Sequence, residues 1–310
     1  MSSLIEQATQ RLAQLRQAGI VVDDLVQPQA SDRAASVRLP VVEPVAEPVP
    51  PRPVVTSKRV DLDFEALERI GVVTPRAPRS RIADQYRVVK RPLIRNAMAT
   101  GASAIAHGNL IMVTSALAGE GKSFTSLNLA ISIAAELDHT VMLVDADVAR
   151  PSILPMLGLP ASRGLLDVLE DSADLSSVLL KTNIDKLTIL PSGTAHPRAT
   201  ELLASDAMRN LLDDIATRYQ DRIVIFDSPP LLLTTEARVL ATHMGQVVIV
   251  IQAEKTLQSD VQSALATIDS CPVRLMLLNR AESNKRGAYG YGYGYGYGYG
   301  YGREPEKQVA

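Results

Sequence analysis

The sequence predicts an α/β fold, a mostly parallel sheet with helices on both faces built around a P-loop of the NTPase type. Three observations carry this expectation. Six apolar runs of strand length, LIMVTSA, VMLVDAD, LTILPSG, RIVIFDS, VVIVIQA and VRLMLLN, recur between residues 109 and 279. Amphipathic stretches such as SFTSLNLAISIAAEL and ELLASDAMRNLLDDIATRY lie between them. The first run leads into A-x-x-x-x-G-K-S at residues 116–123. Strands buried on both faces read as unbroken apolar runs, and ligands of such sheets bind at the carboxyl ends of the strands.

The elements divide the chain into four parts. Residues 1–20 predict a helix: Ser3 and Glu6 have capping-box spacing, Ile5, Ala8, Leu12 and Leu15 share a face, and Gly19 can end it. Residues 21–80 read as a linker, extended and semi-rigid around Pro40, Pro44, Pro48, Pro50, Pro51 and Pro53. Residues 81–286 hold the α/β domain. Residues 287–310 form a low-complexity tail, expected to be disordered, in which Tyr289, Tyr291, Tyr293, Tyr295, Tyr297, Tyr299 and Tyr301 alternate with glycine.

Composition narrows the function classes. The formal net charge of −2 gives no reason to expect a nucleic-acid partner. The single cysteine, Cys271, forms no disulfide within the chain and suits a reducing cytosol. Residues 1–14 lack a secretory apolar core, and no apolar run reaches the roughly 18 residues that span a bilayer. The expectation is a soluble chain whose membrane association comes through a partner. His107, His139, His196 and His243 are scattered, without metal-ligand spacing. Tyr86 and Tyr219 fall within predicted helices and read as packing residues.

The strand–loop–helix context makes the P-loop specific. Amides of Ala118, Gly119, Glu120, Gly121 and Phe124 can cradle phosphate oxygens at a helix N-terminus. Lys122 would reach the β and γ phosphates, and the Ser123 hydroxyl would ligate Mg²⁺. Asp145 and Asp147 close the second run and Asp227 closes RIVIFD, a Walker B pattern that holds a metal directly or through water. An aspartate in such a place can also cap the next helix. Arg150 could stabilise phosphate charge or pair with a carboxylate, and both readings stay open.

The P-loop, the D-x-D strand end and the D-x-x-P ending resemble the Walker A, A′ and B motifs of bacterial tyrosine kinases, from about Arg81 to the C-terminus. LPSGTAHPRATELLASDAMRNLL resembles the family's segment between A′ and B, and Asn279 in LLNR matches an asparagine near the nucleotide base in related folds. Within the family the chain is similar to the cytoplasmic exopolysaccharide autokinases associated with exosortase. SLIEQATQRLAQLRQAG, TPRAPRSRIADQYRVVKRPLIRNA and VDADVARPS carry that narrower likeness. Two motifs depart from the family pattern: Ala149 stands where D-x-D-x-R has its arginine, and Asp84, Arg87 and Lys90 are the nearest match to the Glu-x-x-Arg-x-x-Arg of the ring-forming helix.

The resemblance implies transfer of the ATP γ-phosphoryl group to tyrosine. Lys122, Asp145, Asp147 and Arg150 would be catalytic, and Ser123, Asp147 and Asp227 would hold Mg²⁺. Asp145 would orient or deprotonate the phenol, whose free pKa is near 10. The seven tail tyrosines would be the phosphoacceptors. Further implications are a homo-oligomeric ring through Asp84, Arg87 and Lys90, and a membrane chain-length regulator or co-polymerase as activator. A cognate phosphatase and a cytoplasmic place at the inner membrane would complete the system. The alternatives are a non-catalytic nucleotide-binding scaffold and a ParA/MinD-type ATPase. The latter type carries a second lysine where this chain has Leu117, and it lacks a tyrosine tail. A dinucleotide-binding Rossmann domain lacks support, since no G-x-G-x-x-G is present.

Overall fold

A computed structural model describes residues 57–218 and 222–281. The expected N-terminal helix, the proline-rich segment before residue 57, Tyr219 and the tyrosine tail lie outside the described residues.

The strands are β1 (Lys58–Val60), β2 (Leu110–Ser115), β3 (Thr140–Asp145), β4 (Leu180–Thr182), β5 (Leu187–Leu190), β6 (Arg222–Asp227), β7 (Gln246–Gln252) and β8 (Val273–Asn279). They form one sheet in the order β1-β4-β5-β3-β6-β2-β7-β8. Every pairing is parallel except β4 with β5. The helices are α1 (Phe64–Arg69), α2 (Arg81–Ala97), α3 (Lys122–Ala134), α4 (Ile153–Met156), α5 (Leu165–Leu169), α6 (Leu175–Val178), α7 (Ala199–Leu203), α8 (Asp206–Arg218), α9 (Thr235–Ala241) and α10 (Gln258–Ala266), with a short 3₁₀ turn at Gly101–Ser103.

All six predicted strands form, and the central ones explain why the sheet is two-sided. Along β2, Ile111 and Val113 face one apolar cluster while Leu110 and Met112 face another. In β6, Ile223 and Ile225 join the first cluster, and Val224 and Phe226 join the second. Side chains alternate across a strand, so an unbroken apolar run requires a core on each face. Leu127, Ile131 and Ala134 of α3 pack in the first cluster, and Met208, Leu212 and Ile215 of α8 pack in the second.

The structure corrects three expectations. Residues 58–80, assigned to the linker, belong to the folded unit. β1 adds an edge strand, and Leu62, Leu67, Val72 and Val73 are buried in the first cluster. Their spacing is irregular and their elements are short, so no period marked them. The strand VRLMLLN is not buried on both faces. β8 is the edge strand, and Met276 (64% exposed) and Leu278 (62%) face outward while Leu275 and Leu277 pack inward. The helix expected over residues 201–219 is two helices. The break falls at Ala204 and Ser205, where the Ser205 hydroxyl accepts from the Met208 amide at 3.2 Å and caps α8.

Candidate functional site

The site is built on three adjacent strands, β3, β6 and β2, at their carboxyl ends. Asp145 ends β3 directly opposite Asp227, which ends β6. β2 lies on the other side of β6 and runs into the P-loop. The topology thus brings three sequence motifs, separated by up to about a hundred residues, to one end of the sheet.

Ala116, in the place of the usual first glycine, is fully buried and packs in the second cluster. Gly119 and Gly121 have φ of +85° and +98°, the left-handed region where side chains are strained. A Cβ on Gly121 would also stand 2.2 Å from Nδ2 of Asn279. α3 begins at Lys122 with Gly121 as its N-cap and no side-chain cap, so no side chain takes up its first-turn amides. Ala118 and Gly119 are exposed at the loop surface, and Phe124 is half-buried against the first cluster. Asn279, at the end of β8, donates from Nδ2 to the Glu120 carbonyl at 2.9 Å and accepts from the Arg280 amide at 2.9 Å.

The charged groups interlock. Lys122 Nζ bonds Asp147 Oδ2 at 2.6 Å, both side chains being largely buried. Asp147 Oδ1 accepts from the Arg150 amide at 3.1 Å. Arg150 itself is exposed at the rim. Asp227 is fully buried, and its oxygens accept from Ser126 Oγ at 3.0 Å and Ser152 Oγ at 3.3 Å. Its carboxyl is raised above the ordinary carboxylate range, first by burial; the Lys122 charge and the hydroxyls of Ser123 and Ser126 oppose that rise. Asp145 is 1% exposed and is pushed up to about 7, mainly by burial and then by the Asp227 charge. Its Oδ2 accepts from the amides of Ser152 and Ile153, both at 3.0 Å, so this oxygen does cap the following helix. Its Oδ1 is buried without a hydrogen-bond partner among the described residues.

The donor set fits Mg²⁺. Among the described residues no three carboxylate, histidine or cysteine groups converge on a metal by themselves. Mg²⁺ in phosphoryl-transfer sites takes one or two carboxylates and completes its shell with other oxygens, mainly of phosphate and water. A hydroxyl and two carboxylates at the loop, beside an orphaned buried oxygen, match that demand.

Ser126 and Ser152, which bond Asp227, and Thr256, whose hydroxyl donates to the Glu120 carboxylate in the loop, are site residues that the sequence reading missed. A serine one helical turn past the P-loop lysine, at Ser126, was the available signal for the first. The second follows the D-x-D segment closely. Thr256 carries no motif. The expected oligomer residues separate in space. Asp84 and Arg87 are exposed on α2 and pair with each other. Lys90 is instead buried at 4%, bonding the Ser132 carbonyl at 2.5 Å and Glu136 at 2.7 Å. It is a structural residue of the α2–α3 contact, because six positions on from Asp84 it is turned about 120° around the helix. Tyr86 and Cys271 are buried packing residues, as expected. A groove of about 400 Å³ between α1, α2 and residues 183–186 lies away from these motifs, and Arg87, Lys90 and Lys186 along it are engaged internally.

Comparisons with known proteins agree with this geometry. Residues 108–277 match the family described as AAA domain. The chain is 31% identical over 222 residues to the tyrosine-protein kinase YwqD of Bacillus subtilis (strain 168), spanning 71% of this chain and 90% of that protein. Among solved structures, the chimerical protein CapA2B2 superposes with a TM-score of 0.57 at 28% identity, over 72% of this chain and 93% of that one. The VpsO kinase domain does so with a TM-score of 0.52 at 31% identity, over 64% and 100% respectively. A P-loop followed by an uncapped helix, two in-register carboxylates beside it, and these likenesses together place the chain in the family of bacterial tyrosine-protein kinases.

Proposed function

We propose that the chain transfers the γ-phosphoryl group of ATP to tyrosines of its own C-terminal cluster, Tyr289 to Tyr301. The observation that carries this reading is the convergence of Lys122, Asp147, Asp227 and Asp145 on one P-loop, in a family member whose sequence ends in seven alternating tyrosines.

In this mechanism the loop amides and Lys122 hold the triphosphate. Lys122 exchanges Asp147 for phosphate oxygens when the nucleotide enters, releasing Asp147. Bound Mg²⁺, held by Ser123, Asp147 and Asp227, would neutralise phosphate charge. Ser126 and Ser152 orient Asp227. Asp145 receives the phenolic proton while the tyrosine oxygen forms a bond to the γ phosphorus and the bond to the ADP oxygen breaks. A carboxyl raised to about 7 is a stronger base than an ordinary aspartate and is still half ionised at neutral pH. Arg150, exposed beside Asp147, is placed in the role of receiving charge on the transferred group. Asn279 would border the base.

Glycine at every second tail position lets several tyrosines reach a site, and in an oligomer that site can be a neighbour's. Each phosphate adds about −1.5 to −2 charge, so seven add roughly −10 to −14. Such charge crowded at subunit contacts loosens a ring. Asp84 and Arg87 are the exposed residues we assign to that contact. No helix among the described residues is long and apolar enough to cross a membrane. We assign a membrane chain-length regulator as activator and polysaccharide export as the process served, both on the strength of the resemblance of residues 3–19, 74–97 and 144–152.

The test is a tail truncation. A chain ending at residue 287 should lose self-labelling from radiolabelled ATP while still phosphorylating an added Tyr-Gly repeat peptide. Retained self-labelling at full level would remove the tail as acceptor. Loss of both activities in the truncated chain, with the full-length chain active, would make the tail part of the catalytic machinery instead.

A further inference from the structure

We propose that Glu120 and Thr256 act as positioning residues that hold the phosphate loop in its binding shape, tying it to the segment that follows β7. The inference rests on the reading that this loop binds ATP.

Glu120 sits between exposed Gly119 and half-buried Gly121, yet it is only 3% exposed. Its carboxylate is buried, and each of its oxygens accepts a hydrogen bond. Oε2 accepts from the Leu117 amide at 2.7 Å, and Oε1 accepts from the Thr256 hydroxyl. That hydroxyl accepts in turn from the Gln252 amide at 3.1 Å, at the end of β7. The Glu120 carbonyl accepts from Asn279, whose own carbonyl accepts from the Ala253 amide at 2.9 Å. One residue is therefore fixed through its side chain to β7 and through its backbone to the end of β8.

Two needs explain the arrangement. A loop with two positive-φ glycines can adopt many shapes, and ordering it upon binding costs affinity. Donors aimed at phosphate act best when they are ordered beforehand. A carboxylate in this loop would also repel a triphosphate if it swung outward. Two donors hold it inward, and a charged acceptor makes those hydrogen bonds strong. Thr256 stands outside all sequence motifs of the site, so its involvement is specific to this geometry.

The experiment is a titration of the full chain with a fluorescent N-methylanthraniloyl ATP in Mg²⁺, comparing wild type, Thr256→Val, Thr256→Ser, Glu120→Ala and Lys122→Met. Thr256→Val should weaken binding roughly tenfold, the equivalent of one lost charge-assisted hydrogen bond. Thr256→Ser should return to within about twofold of wild type, and Glu120→Ala should lose at least as much as Thr256→Val. In turnover, Thr256→Val should raise the KM for ATP about tenfold while kcat falls less than about threefold. Wild-type affinity in Thr256→Val, or a loss in kcat with KM unchanged, overturns the proposal. Wild-type binding that Lys122→Met leaves intact would overturn the ATP reading of the loop, and the proposal with it.

Discussion

Asp145 destabilises the folded protein, and replacing it should reveal how much. Its carboxyl is 1% exposed and is raised from the ordinary 3.8 to about 7 by burial, then by the negative charges of Asp227 and Asp147. The folded protein therefore keeps this proton between pH 3.8 and about 7, where the unfolded chain has released it. The unfolded state binds fewer protons across that window, so stability falls as pH rises through it and levels off above about 7. At 1.36 kcal/mol per pH unit the full window amounts to roughly 4 kcal/mol. Asp145→Asn carries no charge, and its carbonyl can still accept from the Ser152 and Ile153 amides. The variant should be about 2–4 kcal/mol more stable than wild type at pH 8, with the difference vanishing toward pH 4. Urea unfolding of both proteins from pH 4 to 8, without nucleotide, measures this. The same variant should lose tyrosine phosphorylation, a trade of activity against stability expected of a strained catalytic group. A stability difference independent of pH would refute the reasoning, and so would a less stable variant at pH 8.

Further expectations follow from the packing. Lys90→Ala removes a buried cation from Glu136 and the Ser132 carbonyl, and it should lower unfolding stability by roughly 2 kcal/mol, since Glu136 remains partly open to water. Tyr86→Phe should leave the number of phosphates in intact-mass spectra unchanged and alter stability by less than about 1 kcal/mol. The phenol is buried at 7% exposure and pushed up to about 12 by that burial, so no active site reaches it in the folded protein. Gly121→Ala places a methyl against Asn279 at a φ of +98°, so isothermal calorimetry should find ATP binding weakened at least about a hundredfold while the chain still folds.

Much of the fold was legible because the central strands are two-sided. β2, β3 and β6 leave no face to water, so their sequences are long apolar runs, those of β3 and β6 closed by Asp145 and Asp227 and that of β2 leading into the P-loop. β1 and β4 were illegible for the opposite reason. Each has three residues, too short a run for a period; β1 carries Lys58 and Arg59 as suits a sheet edge, while β4 lies one strand in, between β1 and β5, with Lys181 exposed. β8 misled because its run is as apolar as β7's; only its edge position leaves Met276 and Leu278 uncovered. In the site, Lys122, Asp145, Asp147 and Asp227 were readable because strand ends and a P-loop have fixed chemistry. Thr256 was not, because it acts through a tertiary hydrogen bond that no spacing encodes, and Ser126 and Ser152, whose places after the P-loop lysine and the D-x-D segment were visible, are tied to Asp227 only by the fold. Lys90 shows the limit of motif matching: its charge fits a surface pattern, and its position on α2 buries it.

The account's central claim is tested most directly by intact-mass spectrometry of the purified full chain after incubation with Mg-ATP, beside Lys122→Met. The account predicts a ladder of added phosphates reaching up to seven, mapped to the tyrosines of the tail and absent from the variant. An unchanged mass in the presence of a candidate activator's cytoplasmic segment, or an equal ladder in Lys122→Met, would contradict it.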